Sequence, residues 1–570
     1  MKLSLINPSK LVQAVAKYQK EIYFLVLGIY LVSALSLAFD GGMTYDEEVD
    51  YIGLRDQLSF ALKVLAGERP DFEQIHDNLE FYGIAGKLPG WILWFAHKQI
   101  TGLGLGLNQA LHSFQVNHLR ENYFAFSRLS LIPMAVLMSV FLRKSAEYLK
   151  ISLPWVAAAS CFLFPSLVGQ SYFNVKDFPF ALFYTAYTAS LVYRLAGARS
   201  KKHFFSLPRG YLWSVLPAAA LISTKAITVI PYLITEVVCL VLTLPQLRRS
   251  SEGFRFELRC ALVGILLTLL TAILMHPAAW IEPVRYAQAN IDAFSHNARS
   301  HCGLLLGSCI GPEHQEWNTA SYAISWFLIK IPLFFLIGII LFIACLRSLR
   351  HSRLLLWIPV ILQAVLIPVL AAIKNSSLYA QDRHLLFVYP ALILVAFGGY
   401  DLFAQKITNY PRRFLVGISG LVVFLFAVFA LDSIRMQPYQ YLYTSELARP
   451  FVNSSNTITD YLGYGASESL KRAFRQGDLP RSNGLIRPVS QFPLNSLVEQ
   501  HGLHQTSSVT APRLIYHSTV RESSSTFVPA STPDETCRVI SQVKRSLVLS
   551  PQPIEIGALW SCEKNTASND

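Results

Sequence analysis

Charge is scarce in this sequence: Asp, Glu, Lys and Arg make up 15% of 570 residues, against 52% apolar residues. Three further things are lacking. No internal repeat is visible, no CxxC or HxxxH pair occurs, and no small-residue cleavage site follows the first apolar run, which passes directly into Asp40. The first absence argues against the repeat-built halves of many transporters. The second leaves zinc without a supporting ligand spacing. The third makes the first helix a retained anchor and not a removed signal peptide.

What the chain does have is a series of apolar runs of roughly 18 to 22 residues, the length needed to cross a bilayer as a helix. The pattern predicts spans at Ile22–Phe39, Tyr123–Leu142, Leu153–Gln170, Phe178–Leu195, Tyr211–Ile222, Ile227–Leu244, Cys260–His276, Tyr322–Leu341, Leu355–Ile373, Leu385–Phe403 and Leu415–Leu431. Basic clusters at Arg143/Lys144/Lys150, Arg199/Lys201/Lys202, Arg248/Arg249/Arg255, Arg347/Arg350/Arg353 and Lys406/Arg412/Arg413 then fall on one side, the cytoplasm by the positive-inside rule. Most of the net charge of +13 is therefore topological, and it gives no reason to expect a nucleic-acid partner. Ser223-Thr224-Lys225 is the polar break at which Tyr211–Leu244 must turn back. The short run Leu88–Phe95, with Trp91 and Trp94, reads as an interfacial helix.

The expected fold class is therefore mainly α: a polytopic helical membrane protein of about 11 transmembrane helices, N-terminus inside, with a C-terminal extracytoplasmic α+β domain. The expected boundaries are 1–432 for the membrane domain and 433–570 for the outer domain. Within the first, 40–122 forms an outer loop with amphipathic helices and 278–319 a second outer loop. Cys302 with Cys309, and Cys537 with Cys562, lie outside and are disulfide candidates in an oxidising compartment. The alternative of zinc on His296, His301, Cys302, Cys309 and His314 has no supporting spacing.

The first outer segment, FDGGMTYDEEVDYIG, carries Asp40, Asp46, Glu47, Glu48 and Asp50. Apolar residues continue from it at helical spacing (Val49, Ile52, Leu58, Leu62, Leu65), so the acids head an amphipathic helix whose dipole favours their ionised form. A solvated acidic loop is the plain alternative. Against it, Lys176 and Asp177 stand before Pro179 on the same face, Lys225 occupies the intramembrane turn, and Arg383 with His384 sits in YAQDRHLLFVYPAL. Ionisable groups at membrane depth are costly and mark sites. Acids suit a base, cations suit a phosphate, and the lipid boundary suits a hydrocarbon tail. A polyprenyl-phosphate sugar combines these parts, and its phosphate leaves with charge neutralisation more than protonation. A flippase for lipid-linked glycans, or an envelope assembly protein, is the competing reading.

TYDEEVDYIG, FNVKDFPFALFYTAY, STKAITVIPYL, HPAAWIEP, NTASYAISWFLIKIPL, SLYAQDRHLLFVYPAL, MQPYQYLYTSELARP and ITDYLGYG, in this order, resemble the GT-C membrane glycosyltransferases. The likeness is to the branch of dolichyl-phosphate-mannose protein mannosyltransferases and the bacterial aminoarabinose transferase. It implies an inverting transferase that moves a sugar, a hexose such as mannose, from a polyprenyl- or dolichyl-phosphate carrier to a lipid, glycan or protein hydroxyl at the outer face. It implies Asp46 as catalytic base with Glu47 in support and Asp177 as the second acidic site. Lys225 and Arg383 would bind the lipid phosphate and His384 orient it, with Lys176 and Tyr379 as further substrate contacts. No ligand spacing calls for a cofactor; a Mg²⁺ or Mn²⁺ ion, if one is bound, would fall to Asp46 and Glu47. Unlike the protein mannosyltransferases, whose lumenal domain lies between spans, this chain has its largest outer domain at the C-terminal side, and it has fewer expected spans than the aminoarabinose branch. Compact loops favour a bacterial inner membrane, although Asn375 and Asn453 head glycosylation sequons.

Overall fold

A computed structural model describes residues 15–40, 44–75, 81–102, 104, 106, 117–197, 206–247, 251–295, 303–310, 318–349, 351–376, 378, 381–453, 456–457, 459–460, 462–479, 485–488, 504–505, 513–517, 535–550 and 552–564. Helices dominate. In chain order they are α1 (Gln19–Asp40), α2 (Tyr45–Leu65), α3 (Leu88–Ile100), α4 (Asn117–Leu149), α5 (Pro154–Ala159), α6 (Pro165–Gln170), α7 (Asp177–Gly197), α8 (Ser206–Thr224), α9 (Val229–Leu247), α10 (Ser251–Leu274), α11 (Pro283–Ser295), α12 (Thr319–Lys330), α13 (Leu333–Cys345), α14 (His351–Ile373), α15 (Tyr389–Lys406), α16 (Arg412–Arg435) and α17 (Gly465–Gln476).

Among the described residues, six helical stretches are long and apolar enough to cross a bilayer: in α1, α4, α10, α14, the segment from Arg383 through α15, and α16. The chain is a multi-pass membrane protein. Two runs that the pattern predicts as continuous spans are broken. Leu153–Gln170 forms α5 and α6, six residues each, because Pro154 and Pro165 each start a new helix after a residue that cannot be helical. This broken segment still runs the depth of the bundle. Trp155 N donates to Gln19 Oε1 (3.3 Å) at the start of α1, and the other end leads to Asp177. Tyr322–Leu341 bends by 120° between α12 and α13, where Pro332 has no N–H to continue the ladder.

The helix break expected at Lys225 is present: α8 ends at Thr224, and Lys225 takes an extended backbone conformation before α9. The helix at Trp91 and Trp94 packs one face on α4, with Trp94 wholly buried among Tyr51, Tyr123 and Phe124, while Ile92, Leu93 and Ile100 stay exposed. At the crossing of α13 and α15 a Cβ on Gly338 would lie 2.7 Å from Ala396 O, so only glycine permits this approach of backbones.

A two-residue turn joins β1 (Gly303–Leu305) to β2 (Ser308–Ile310). Beyond α16, a five-stranded sheet has the order β4-β3-β5-β7-β6, from β3 (Leu485–Pro488), β4 (His504–Gln505), β5 (Arg513–His517), β6 (Glu535–Arg545) and β7 (Ile554–Lys564), with α17 packed on it. The expected Cys537–Cys562 disulfide is formed between residues directly opposite in β6 and β7, with S–S 2.04 Å. Cys302 lies outside the described residues, so its expected pairing with Cys309 does too.

The sheet is tied to the bundle. Tyr439, Tyr441 and Tyr443 are fully buried in the main core together with α6, α15 and α16 residues. Asp460 accepts from Tyr441 OH, Tyr516 OH (2.6 Å) and Gly465 N (2.7 Å), and Arg449 bridges Asp432 and Val548 O.

Candidate active site

Thr44 has the extended backbone of an N-cap, and its side chain accepts from Glu47 N (3.4 Å) while Glu47 Oε2 accepts from Thr44 N (2.9 Å). This reciprocal capping box fixes where α2 begins. Arg128, inside α4, then grips Glu47 with both arms of its guanidinium, Nε–Oε1 2.5 Å and Nη2–Oε2 2.7 Å, and reaches Leu37 O at the end of α1 (3.3 Å). Both partners are buried. Glu47 is thereby the anchor of the α2 start, and its carboxylate faces Arg128, away from the cations that gather around Asp46.

Asp46, one residue earlier in the chain, faces the other way. Its carboxylate pairs with Arg383 and keeps 16% side-chain exposure, while every other acid of the cluster is nearly sealed. Arg383 also gives its Nε to Asp177 Oδ2 (2.9 Å), and Lys225 Nζ holds the other oxygen of Asp177 (2.7 Å). Asn174 positions this aspartate: its Oδ1 accepts from Asp177 N (2.7 Å) and its Nδ2 donates to Asp177 Oδ2 (3.0 Å).

One turn on from Asp46, Asp50 meets Lys87 Nζ at 3.0 Å and Lys176 Nζ at 3.9 Å. Burial raises the Asp50 carboxyl, but Lys87, Lys176 and Arg383 outweigh it and hold the group below the ordinary carboxylate value. For Lys87 burial dominates and the ammonium is lowered; for Lys176 burial is again the largest single effect, but Asp50, Tyr82 and Asp177 together outweigh it and the ammonium is raised. Gly86 makes the approach of Lys87 possible, since a Cβ there would lie 2.8 Å from Val175 O. His384 lies close enough to feel Lys225, Asp177 and Arg383.

Among the described residues the ion-paired cluster contains four cations (Lys87, Lys176, Lys225, Arg383) and three carboxylates (Asp46, Asp50, Asp177), an excess of one positive charge. Excess positive charge beside one accessible carboxylate can neutralise a phosphate while leaving a base to receive a proton.

Of the residues predicted from sequence, Asp46, Lys176, Asp177, Lys225, Arg383 and His384 come together; Glu47 is adjacent but turned to Arg128. Tyr379 lies outside the described residues. Among the described residues, no three His, Cys, Asp or Glu side chains gather as metal ligands. The pattern missed Lys87, Arg128 and Asn174 as members. Arg128 alone had a usable signal, a cation inside an apolar span; Lys87 joins only through tertiary packing.

The Asp50 pair allows a pH test. Its folded pKa lies below the unfolded one near about 4, so the stability it contributes is present above that pH and is lost as pH falls through the depressed value. Asp50→Asn/Lys87→Met should show a shallower loss of thermal stability below about pH 4 than the wild type. Parallel acid slopes in lipid discs would contradict the assignment.

No family model matches the chain, and no curated protein matches it. It is similar to the crystal structure of ArnT from Cupriavidus metallidurans bound to undecaprenyl phosphate, at 14% identity over 96% of this chain and 98% of that one, with a TM-score of 0.41. It is also similar to ArnT from the same organism in the apo state, at 12% identity over the same shares, with a TM-score of 0.37.

Proposed function

We propose that the chain is an inverting glycosyltransferase of the GT-C type, moving a hexose such as mannose from a polyprenyl- or dolichyl-phosphate carrier to a hydroxyl acceptor at the outer face of a bacterial inner membrane. The observation that carries this reading is the partly exposed Asp46 carboxylate set on the rim of a buried cluster with one excess positive charge. Eleven crossings with the N-terminus inside would put that rim outside, as would the formed Cys537–Cys562 bridge.

In this reading the donor phosphate lies against Arg383 and Lys225, with Lys176 and His384 flanking it. Asp46, now sharing Arg383 with the phosphate, takes the proton of the acceptor hydroxyl. The acceptor oxygen bonds to C1 of the sugar from the face opposite the phosphate, the C1–O bond breaks, and its electron pair leaves on the lipid phosphate. A single displacement inverts the anomeric centre. Asp177 holds Arg383 and Lys225 in place, a positioning role. A Mg²⁺ or Mn²⁺ ion at Asp46 has no third ligand beside it among the described residues, so no step is assigned to a metal.

The test is transfer of labelled hexose from a panel of polyprenyl-phosphate hexoses in lipid discs. Consumption of donor by the wild type is expected, with Arg383→Gln raising the donor KM about tenfold or more as a buried charge partner of the phosphate is removed. The flippase reading would take over if labelled lipid crossed the bilayer while no donor was consumed.

A further inference from the structure

A second polar space lies between the bundle and the outer sheet. A cavity of about 300 Å³ is lined by Thr444, Arg449, Asn453, Ser550, Gln552 and Ile554, among others. Its volume falls at the lower end of sites that take small ligands. Through Thr444, Val452, Asn453 and Ile554 it shares a wall with a narrow space of about 20 Å³, whose inner side is Lys330 and Gln381. Gln381 stands two residues before Arg383 and holds a left-handed backbone (φ 62°), which a glutamine adopts only when its surroundings impose it. The two spaces thus form a polar line from the outer domain to the segment that supplies Arg383.

The lining chemistry is specific. Hydroxyl and amide side chains (Thr444, Asn453, Ser550, Gln552) share the larger space with apolar Val452, Leu547 and Ile554, and the narrow one adds Thr459 beside Trp326 and Leu442. At the inner end Lys330 is 1% exposed, donates to Tyr441 O (2.8 Å), and has no carboxylate within ion-pair distance among the described residues. Such a lining can exchange hydrogen bonds with several hydroxyls of one ring while apolar residues meet its C–H face, and the buried ammonium offers donors to a ring substituent.

We infer that this cavity is a sugar-binding subsite that holds the acceptor, a hexose-sized polyol group presented from the outer side. Naming the bound sugar the acceptor rests on the transferase reading above; the binding of a sugar there does not. Bound here, an acceptor would lie one narrow space away from Gln381, two residues before Arg383.

The experiment uses the full chain in lipid discs and saturation-transfer NMR. The probes are methyl α-glycosides of glucose, mannose, galactose and N-acetylglucosamine in solution, and the same sugars as octyl glycosides in the disc. At least one should saturate with the wild type, and Ser550→Trp, which fills the cavity, should reduce the effect at least fivefold. Gln552→Leu, a milder change at an exposed position of the wall, should reduce it severalfold with unchanged near-ultraviolet circular dichroism. Saturation of octyl glycosides alone marks a lipid-borne sugar, and of both kinds a sugar bound without its lipid. Absence of saturation from every probe, or saturation that persists in both variants, overturns the subsite. Slow hydrolysis of the polyprenyl-phosphate donor by the wild type is read separately. A donor that is never consumed, with sugar binding still lost in the variants, would remove the transferase reading and leave the sugar site standing.

Discussion

Asp46→Asn should lower kcat by about 10² to 10⁴ with the donor KM nearly unchanged, the range expected when a general base is removed. The geometry explains why the effect should sit in kcat. Asparagine keeps the size of the side chain and can still face Arg383, so the cations proposed to hold the phosphate stay in place; what is lost is the ability to accept a proton. Asp177→Asn should behave differently. Asp177 is nearly sealed and pairs with both Arg383 and Lys225, so its neutralisation disturbs these two cations and should raise KM. Equal kcat for wild type and Asp46→Asn would remove Asp46 from the chemistry.

The second large effect concerns Glu47. Glu47→Gln leaves the Arg128 guanidinium buried without its counter-ion and should cost about 3 to 5 kcal/mol of stability, a large part of the 5 to 15 kcal/mol that holds a typical domain. Glu47→Gln/Arg128→Met removes both charges and should recover most of that loss, because a buried ion pair replaced by apolar groups is often neutral. Thermal unfolding in discs checks both variants. If Glu47→Gln abolished transfer with stability intact, Glu47 would act on substrate or metal and not as the anchor of α2.

The two acids differ because neighbouring residues in the first turn of a helix point about 100° apart, and the sequence cannot say which one faces inward. TYDEEVDYIG reads as a helix start with clustered acids, and it is one. The reading that made Asp46 and Glu47 a working pair fails to separate them, since the separation is imposed by Arg128 from α4, 81 positions on from Glu47. Lys225 and Arg383 were legible for the opposite reason: a cation where the pattern expects lipid needs a partner, and Asp177 supplies it to both. Lys87 carried no such mark. It lies in a short glycine-containing connector before α3, and the close packing of Gly86 against Val175 helps carry it to Asp50.

Helix number was less legible than helix presence. Pro154 and Pro165 divide one expected span into two six-residue helices, and Pro332 bends another by 120°. Hydropathy averages over such breaks, whereas backbone geometry does not. One interruption borders the site, the α6 end leading to Asn174, and the other supplies Lys330 to the narrow space beside Gln381. Irregular backbone within a bundle persists where protein or a polar space satisfies its hydrogen bonds.

The central claim is a single displacement at the anomeric carbon of a polyprenyl-phosphate sugar. Its most direct test is the anomeric configuration of the sugar that the wild-type protein in lipid discs releases to water or transfers to an acceptor, read by proton NMR before mutarotation. The account predicts a product of configuration opposite to the donor's. A product of the same configuration would require two displacements and a covalent intermediate, and would contradict Asp46 as a base.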